Sequence, residues 1–340
     1  MKEPPAQAED PSLHPWQYPR HTMARQPISV ITTVYNEAQS IDGFLASMAD
    51  QTRQADEIVI VDAGSTDGTL ECLTAAAESD ERLRIIVEPG NRARGRNTAI
   101  ENATHEIVAC TDGGCTLDPE WLEHLTAPFD NGADWVAGFY RVDATSTIDR
   151  CIGLTIVFVI EEVDPSLFLP SARSMAVTKS AWKQAGGFPE DAEFAEDTLF
   201  NEMMLAEGFR PIFVSDATVA WHPPSGFTGL ARTAYRWGRG DGAAGLRGPH
   251  YRATLAAYAG TVGLAALFAA TKPRLLPLAA LPIAGPVWRS IRYKLRHEVS
   301  PARYVYLPAA NLTATISNLF GFLVGRYFGE QRTSASRRNT

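Results

Sequence analysis

Cysteine is scarce in this sequence, and its few copies lack the spacing of a metal site. Four of the 340 residues are cysteine, at positions Cys72, Cys110, Cys115 and Cys151, and no two of them form a CxxC pair. Because that pair is typical of cysteine-bound metals, its absence argues against such a centre. The sequence requires no disulfide, and we expect reduced thiols, as in the cytosol.

An apolar signal-peptide core is also missing at the N-terminus. The first 26 residues contain five prolines and no apolar run of the kind that a secretory signal needs. Such a composition cannot bury enough apolar surface to fold. We therefore expect a disordered tail over residues 1–26 and a flexible one over residues 331–340.

Acidic residues become rare in the last third of the chain. From Thr228 onward there are 16 Lys and Arg against 3 Asp and Glu, although the whole chain has a net charge of −8. This basic part contains long apolar runs, so it favours an anionic membrane surface as its partner. The main domain is acidic, which is unlike a nucleic-acid binder, and we expect no nucleic-acid partner.

Three apolar segments lie in this basic part. The segment Thr254–Thr271 has 18 residues without charge, Leu275–Trp288 contains three prolines, and residues 302–329 are amphipathic. Basic residues stand between these segments, as they do beside membrane helices. We expect residues 246–330 to form a membrane-associated helical region with one or two spans and an interfacial helix. Buried core helices are the alternative.

The first part of the chain alternates strand and helix patterns. Buried strands are predicted at residues 28–34, 57–63, 82–88 and 106–112, and helix-length segments separate them. Two further short strands are predicted within residues 210–223. This order predicts an α/β fold with a mainly parallel sheet flanked by helices. Ligands bind beyond the carboxyl ends of such strands, so the site is expected there.

Polar motifs follow the first two strands. In "TVYNEA", residues 33–38, backbone N–H groups could meet a phosphate, and the Tyr35 ring could stack on a base. A polar turn between strand and helix is the alternative. In "VDAGSTDGT", residues 61–69, a later side chain can cap the next helix. That leaves Asp62 to face the cleft and accept from a nucleobase or a ribose.

Charged residues supply two further candidates. The stretch "GNRARGRNTAI" places Arg92, Arg94 and Arg96 before a helix, where a diphosphate would relieve their unfavourable position on the helix dipole. A solvated basic loop is the alternative. The stretch "FAEDTLF" places Glu196 and Asp197 at a helix start. Either acid could be a general base, or both could simply be stabilised by the dipole.

Taken in order, these motifs resemble the family 2 glycosyltransferases, which have the GT-A fold. The resemblance extends from about Pro27 to Gly242 and is carried by "TVYNEA", "VDAGSTDGT", "ARGRNTAI", "DGGCTLDPEWL", "GGFPEDAEFAEDTLF" and "YRWGRGDG". It implies a GT-A catalytic domain, expected over residues 27–245, and a nucleoside-diphosphate sugar as donor. It also implies Mg²⁺ or Mn²⁺ and inversion at the anomeric carbon.

The resemblance also implies roles for individual residues. By position, the nucleoside pocket corresponds to Thr33, Tyr35, Glu37 and Asp62, the basic residue beside the diphosphate to Arg94 or Arg96, and the catalytic base to Asp197. Arg236 and Trp237 loosely resemble an element near the diphosphate and acceptor, although the Gln that precedes that element is absent.

Asp112 corresponds to the first acid of the family's D-x-D metal motif, but Gly114 replaces the second acid. Three outcomes are open. Asp112 and water could hold a weakly bound cation, Thr116 or His222 could substitute, or arginines could neutralise the diphosphate. Because Mg²⁺ keeps several waters in most sites, a weak, water-rich site for Mg²⁺ or Mn²⁺ is the expectation.

Together these features predict a membrane-attached inverting glycosyltransferase whose catalytic domain faces the cytosol. Its acceptor is expected to be a hydroxyl of a lipid-linked or cell-surface glycan. Two rivals remain: a nucleotidyltransferase of similar layout, and a catalytically silent module that binds a partner or glycan. A nucleotidyltransferase would carry a glycine-rich basic loop after the first strand, which "TVYNEA" is not. The sequence specifies neither the sugar, the nucleotide nor the acceptor.

Overall fold

An eight-stranded sheet with helices packed on both faces forms the centre of the computed structural model, which describes residues 25–328. The predicted tails lie outside the described residues, apart from residues 25 and 26. The strands are β1 (Ile28–Val34), β2 (Glu57–Asp62), β3 (Leu83–Val87), β4 (Ile107–Cys110), β5 (Cys115–Leu117), β6 (Trp135–Val142), β7 (Met175–Thr178) and β8 (Ile212–Trp221).

Eleven α-helices of the described part connect or follow these strands. They are α1 (Ile41–Ala49), α2 (Thr69–Ala77), α3 (Arg92–Asn102), α4 (Trp121–Thr126), α5 (Thr147–Ile156), α6 (Lys179–Ala185), α7 (Glu196–Ala206), α8 (Gly226–Ala244), α9 (Gly248–Thr271), α10 (Leu281–Ile291) and α11 (Arg303–Phe328). Short 3₁₀ helices lie at Ala127–Asn131, Ile160–Glu162, Pro273–Ala280 and Lys294–Arg296.

The strand order is β3-β2-β1-β4-β7-β6-β8-β5. The four strands predicted from the first part of the sequence are parallel neighbours, which confirms the α/β fold with a mostly parallel sheet. The direction reverses between β4 and β7, where Cys110 lies opposite Met175. Because of this reversal, the chain that enters β7 meets the chain that leaves β4 at one edge of the sheet.

Side chains of the central strands alternate between two cores. Ile28 and Val30 point to the face covered by α1 and α2, whereas Ile31 and Val59 point to the face covered by α3 and α7. All four are fully buried. Strands that are covered on both faces read as continuous apolar runs, which is why the sequence showed them so clearly.

The prediction of two short strands within residues 210–223 was wrong. The structure has one strand there, β8, and its pairing with β6 shifts register between Ala137 and Phe139. Ser215 and Asp216 are exposed at the shift. A bulge lets one strand continue past unpaired polar residues, so the polar interruption did not mark a strand end. The three-residue β5 was not predicted.

The last part of the chain is helical. Two of its helices are long and apolar enough to cross a membrane by length and composition, namely α9, with a mean hydropathy of 1.6 over its most apolar window, and α11, with 1.3. That window of α9 is 0% buried and that of α11 is 28% buried. The run Leu275–Trp288 is divided between a 3₁₀ helix and the short α10, so it forms no spanning helix.

Glycines allow α8 and α11 to pack with their backbones in contact. A Cβ at Gly321 would overlap the backbone carbonyl of Tyr235, and one at Gly325 would overlap that of Arg239. Gly238 faces the backbone of α11 in the same way. Near its start, α11 packs on α5, where Leu307 and Cys151 belong to the same buried cluster. Helix α11 is therefore anchored on the sheet-containing domain.

We expect Gly321→Ala to weaken this packing. Two helix backbones cannot move apart as a side chain can, so the added methyl should lower the free energy of unfolding by about 1–3 kcal/mol. The control is Gly43→Ala in α1, where nothing lies within 4 Å of the new Cβ. Since alanine favours a helix over glycine, the control should be neutral or stabilising. Thermal unfolding of both variants tests this, and equal midpoints would contradict it.

Candidate active site

The loops after β1 and β2 are held together at the carboxyl edge of the sheet. Val34 and Asp62 are register partners, so both loops begin side by side. Asn36 adopts a left-handed backbone conformation, with φ of 56°, which asparagine tolerates. The next residue, Glu37, donates its backbone N–H to Thr69 Oγ1 at 2.8 Å. The turn after β1 thereby directs the Glu37 side chain along the sheet edge.

The residues expected to bind the nucleoside lie at this edge. Thr33 is close to the end of β1 and packs on α3, where a Cβ at Gly95 would lie 2.7 Å from Thr33 Cγ2. The Tyr35 side chain is 59% exposed, so its ring is available for stacking. Their roles in binding stay predictions.

Asp62 has a structural function that the sequence did not reveal. Its Oδ1 accepts hydrogen bonds from the backbone N–H groups of Gly64 at 2.8 Å and Ser65 at 2.7 Å. These bonds hold the loop after β2, and the expected role of Asp62 in binding a nucleobase or a ribose stays a prediction. Its Oδ2 is buried and has no hydrogen-bond partner in the described part of the chain. A buried oxygen without a partner is costly, so it marks a point where a ligand donor would be stabilising.

Asp112 follows β4 and is bound by a buried arginine. Arg96 donates from Nη2 to Asp112 Oδ1 at 2.9 Å and from Nη1 to Glu196 Oε1 at 2.6 Å. The side chains of Arg96 and Glu196 are 4% and 8% exposed, whereas that of Asp112 is 30% exposed. The buried cation thus joins three separate segments of the chain and leaves Asp112 open to the cleft.

The other two arginines of the predicted cluster point outward. Arg92 and Arg94 are exposed at the start of α3, and Arg94 pairs with Glu88. Asn91 caps the helix by accepting from the backbone N–H of Arg94 at 2.9 Å. Of the two candidates for the basic residue beside the diphosphate, only Arg96 lies in the cleft floor.

Arg173 also belongs to the site, although the sequence did not single it out. It precedes β7, and since Met175 lies opposite Cys110, residues before β7 reach the edge where Asp112 lies. Arg173 Nε lies 4.0 Å from Asp112 Oδ2, and the guanidinium is stacked over the Trp221 ring at 4.6 Å. Its Nε is buried without a hydrogen-bond partner in the described residues. A lone arginine at the start of an apolar strand was the only signal available.

Asp197 lies in the first turn of α7, beside Glu196. Its Oδ1 accepts from the backbone N–H of Thr198 at 2.8 Å, and its Oδ2 lies 3.5 Å from Ser171 Oγ. The residue before the helix, Ala195, has φ of 64°, a strained conformation for alanine. Such strain persists only where the surroundings enforce it, so the start of α7 is held in place.

The pKa values of Asp112 and Asp197 are shifted in opposite directions. Burial raises the pKa of Asp197 above its ordinary value, and the charge of Glu196 adds to this. Arg96 and Arg173 offset only part of that rise. Burial acts in the same direction on Asp112, but Arg96 and Arg173 outweigh it and hold the pKa of Asp112 below its usual range. Asp197 is thus suited to accept a proton, and Asp112 to stay anionic.

The thiols near the site are not suited to catalysis. All four cysteines are free. Burial raises the pKa of Cys110 to about 12, so this neighbour of Asp112 stays protonated. Since the thiolate is the nucleophilic form, the acids remain the candidates for chemistry.

Arg236 and Trp237 lie in α8. Arg236 is exposed and Trp237 is partly buried. No hydrogen bond or ion pair found within residues 25–328 joins either of them to Asp112 or Asp197, so their role stays a prediction. One turn further, Arg239 pairs with Glu193 at 3.2 Å, in the loop that leads to Asp197. Helix α8 therefore contacts the loop before α7 through Arg239, a residue to which the sequence analysis gave no individual role.

The loop of Asp112, Gly113 and Gly114 crosses the end of β1. A Cβ at Gly113 would lie 2.5 Å from Val34 Cγ1, so the close approach requires glycine there. His222 Nδ1 lies 3.3 Å from the Gly114 carbonyl oxygen, and Thr116 lies in β5. Among residues 25–328, no three His, Cys, Asp or Glu side chains form a group that could hold a metal ion.

The fold is of the GT-A type, and comparison with known proteins identifies the class of enzyme. Residues 29–150 match the family described as Glycosyl transferase family 2. The chain is 27% identical to glycosyltransferase AglE of Haloferax volcanii over 222 residues. This aligned region covers 63% of this chain and 72% of that protein.

Two other proteins extend the comparison. The undecaprenyl-phosphate 4-deoxy-4-formamido-L-arabinose transferase of Klebsiella pneumoniae is 31% identical over 144 residues, which are 38% of this chain and 43% of that protein. The solved structure of a Pyrobaculum calidifontis mannosyltransferase has the same fold, with a TM-score of 0.54, 22% identity and 90% of each chain covered.

The chain carries a family 2 glycosyltransferase domain and is a glycosyltransferase. The resemblance drawn from its motifs is therefore confirmed, as are the GT-A fold and the enzyme class. Both relatives named above are glycosyltransferases, so the nucleotidyltransferase alternative receives no support.

Proposed function

We propose that this chain transfers a sugar, with inversion, from a nucleoside-diphosphate sugar to a hydroxyl of a lipid-linked or cell-surface glycan. The observation that carries this proposal is Asp197, a carboxylate of raised pKa at the same sheet edge as Asp112. The acceptor O–H gives its proton to Asp197 while its oxygen bonds to the anomeric carbon. The bond from that carbon to the phosphate oxygen breaks, and the nucleoside diphosphate leaves with the electron pair. A single displacement inverts the carbon.

The arginines of the cleft floor support this direction of reaction. Arg173 lies beside Asp112 with an unpartnered Nε, and Arg96 lies beneath it. Fixed cations that need no reorganisation stabilise charge that develops on a leaving diphosphate. Asp112 balances them in the absence of donor, so two cations can be present without repelling each other strongly.

The compared proteins support the substrate classes. The Pyrobaculum mannosyltransferase was solved in complex with GDP-Man and Mn²⁺, which supports a nucleotide-sugar donor here. The Klebsiella relative acts, by its name, on undecaprenyl phosphate, which supports a lipid-linked acceptor. The sugar and the nucleotide are left open.

A divalent cation, Mg²⁺ or Mn²⁺, fits the exposed side of Asp112. Its Oδ1 is taken by Arg96, whereas Oδ2 lies 4.0 Å from Arg173 and faces the cleft. Mg²⁺ is commonly held by one or two carboxylates together with substrate phosphates, so a closed cage of protein ligands is not required. Such an ion, when bound, would neutralise charge on the diphosphate.

We further propose that the helices after α8 attach the chain to a membrane. Large apolar side chains are exposed on them, including Val262 on α9, Trp288 on α10 and Phe320 on α11. Lys272 and Arg274 follow α9, and cations beside apolar helices favour the cytoplasmic surface of an anionic membrane. The catalytic domain would then face the cytosol.

The packing of α11 limits how this attachment can be made. Both α8 and α11 pack on the catalytic domain, so the chain between them must return to the side from which it left. A single crossing by α9 would leave α11 on the opposite side. We therefore propose that residues 248–300 enter the bilayer and return, with the exposed face of α11 at its surface.

The attachment is tested with tags at both ends of the chain. Protein bound to the outside of vesicles that contain anionic lipid should float with them. Protease should then remove the N-terminal and the C-terminal tag equally, because both ends lie on one side. A protected C-terminal tag would contradict the return of the chain, and failure to float would contradict the attachment.

The catalytic proposal is tested by turnover. The full chain in detergent is incubated with a panel of nucleotide sugars and a glycan acceptor, either lipid-linked or free, and the release of nucleoside diphosphate is measured together with the anomeric configuration of the product. Acceptor-dependent release with inversion is the expected result. Thermal stabilisation by a nucleotide sugar without any turnover would instead support the silent binding module.

A further inference from the structure

Glycine at position 114 is not explained by packing. A Cβ at Gly113 would collide with Val34, but a Cβ at Gly114 would be in ordinary van der Waals contact with its neighbours. Its φ also lies outside the left-handed region that favours glycine. A side chain is thus sterically acceptable at 114, and the reason for its absence must be chemical.

The three atoms nearest to that Cβ all belong to one carboxyl group. Glu37 Oε2, Oε1 and Cδ would lie 3.5, 3.7 and 3.8 Å from it. An aspartate at 114 would extend its own carboxylate by about one bond length beyond the Cβ, into this neighbourhood. Glu37 therefore places a carboxylate, from the loop after β1, where an acid at 114 would have placed one.

The position of Glu37 is held from two sides. Its backbone N–H is bound by Thr69, and its Oε2 accepts from Ser40 Oγ at 2.6 Å. A fixed carboxylate needs little reorganisation to serve as a ligand.

The charges of the site explain why a second carboxylate is needed. Asp112 is paired with Arg96 and approached by Arg173, so its own negative charge is already offset. The affinity of an oxygen site for a divalent cation rises with the number of anionic ligands. One offset carboxylate is a poor ligand set, and Glu37 supplies the missing charge.

We propose that Glu37 replaces the second acid of the metal motif, so that Asp112 and Glu37 together hold the divalent cation of the donor complex. This inference rests on the proposed function. It assigns Glu37 to the cation, whereas the family resemblance assigns this position to the nucleoside.

The experiment moves the carboxylate back to position 114. Binding of Mn²⁺ in the presence of a nucleoside diphosphate is measured by the loss of the free Mn²⁺ EPR signal, for the wild type, Glu37→Gln, and Glu37→Gln combined with Gly114→Asp. Glutamine still accepts from Ser40, so the turn is kept. The matched control combines Glu37→Gln with Gly114→Ala, which adds the Cβ without the charge.

Glu37→Gln should weaken Mn²⁺ binding by roughly 10- to 100-fold or more, the loss seen when even an outer partner of a metal is removed. The Gly114→Asp combination should recover most of that loss, and the Gly114→Ala combination none. Nucleoside diphosphate binding in EDTA should be nearly the same for all four proteins.

If Glu37→Gln binds Mn²⁺ as tightly as the wild type, the proposal is wrong. It is also wrong if Glu37→Gln weakens only the binding of nucleotide in EDTA, because Glu37 would then contact the nucleoside. Failure of the proposed function is a separate result, namely normal Mn²⁺ and nucleotide binding without sugar transfer.

Discussion

Asp197→Asn should lower kcat by roughly 100- to 10,000-fold, the range expected for loss of a general base. Donor affinity should change little, because the proposed mechanism assigns Asp197 to the acceptor and not to the nucleotide. The asparagine side chain keeps an oxygen that can accept from the backbone N–H of Thr198, so the start of α7 should stay folded. Steady-state kinetics with donor and acceptor varied in turn measure the two effects separately.

Glu196→Gln is the matched control for this experiment. Glu196 is buried and bonded to Arg96, so it cannot reach an acceptor, and glutamine can still accept from Arg96 Nη1. We expect it to cost far less turnover than Asp197→Asn. Equal losses in both variants would show that the start of α7 has a structural role only, and an active Asp197→Asn enzyme would remove Asp197 from the mechanism.

The pH profile gives an independent check on Asp197. A general base must be ionised, so the rate rises as pH increases through its pKa. The pKa of Asp197 is raised, so this acidic limb should lie above the ordinary aspartate value of about 3.9. In Glu196→Gln a neighbouring negative charge is lost, and the limb should move to lower pH. An unmoved limb would mean that another group titrates.

The sequence alone predicted the part of the fold in which buried apolar strands are followed directly by recognisable motifs. The strands β1, β2 and β4 are buried on both faces, and the loops that follow them carry motifs of fixed spacing. Asp112 and Asp197 were identified through the order of those motifs, and the structure connects both to Arg96 and Arg173. These two residues are far apart in the sequence, so only the resemblance to a known family predicted that they belong to one site.

The contacts that the sequence could not give depend on strand direction and on partners far along the chain. Arg173 reaches Asp112 only because β7 runs antiparallel to β4, and a short apolar strand does not state its direction. The Glu37 side chain meets Gly114 only because the β1 turn is bent at Asn36. The glycines Gly321 and Gly325 are visible in the sequence, but their partner helix is not.

Of the substitutions considered for this protein, Arg96→Met should lower the free energy of unfolding the most. It leaves the buried Glu196 carboxylate without its counter-ion, and breaking a buried pair from one side costs about 3–5 kcal/mol. Urea unfolding of the variant and the wild type measures this loss.

Two controls separate the loss of a counter-ion from a general loss of packing. Arg94→Met removes an arginine of the same helix whose side chain is 53% exposed and pairs with Glu88, and such surface pairs contribute about 1 kcal/mol or less. Arg96→Met combined with Glu196→Gln removes the unpaired charge and should recover part of the stability, because a neutral amide costs less to bury than a carboxylate. If Arg94→Met costs as much as Arg96→Met, or if the double variant recovers nothing, the ion pair is not what stabilises the floor of the cleft. If the expected order holds, the recovered double variant should still turn over slowly, because its cleft floor has lost a cation that we propose stabilises the leaving diphosphate.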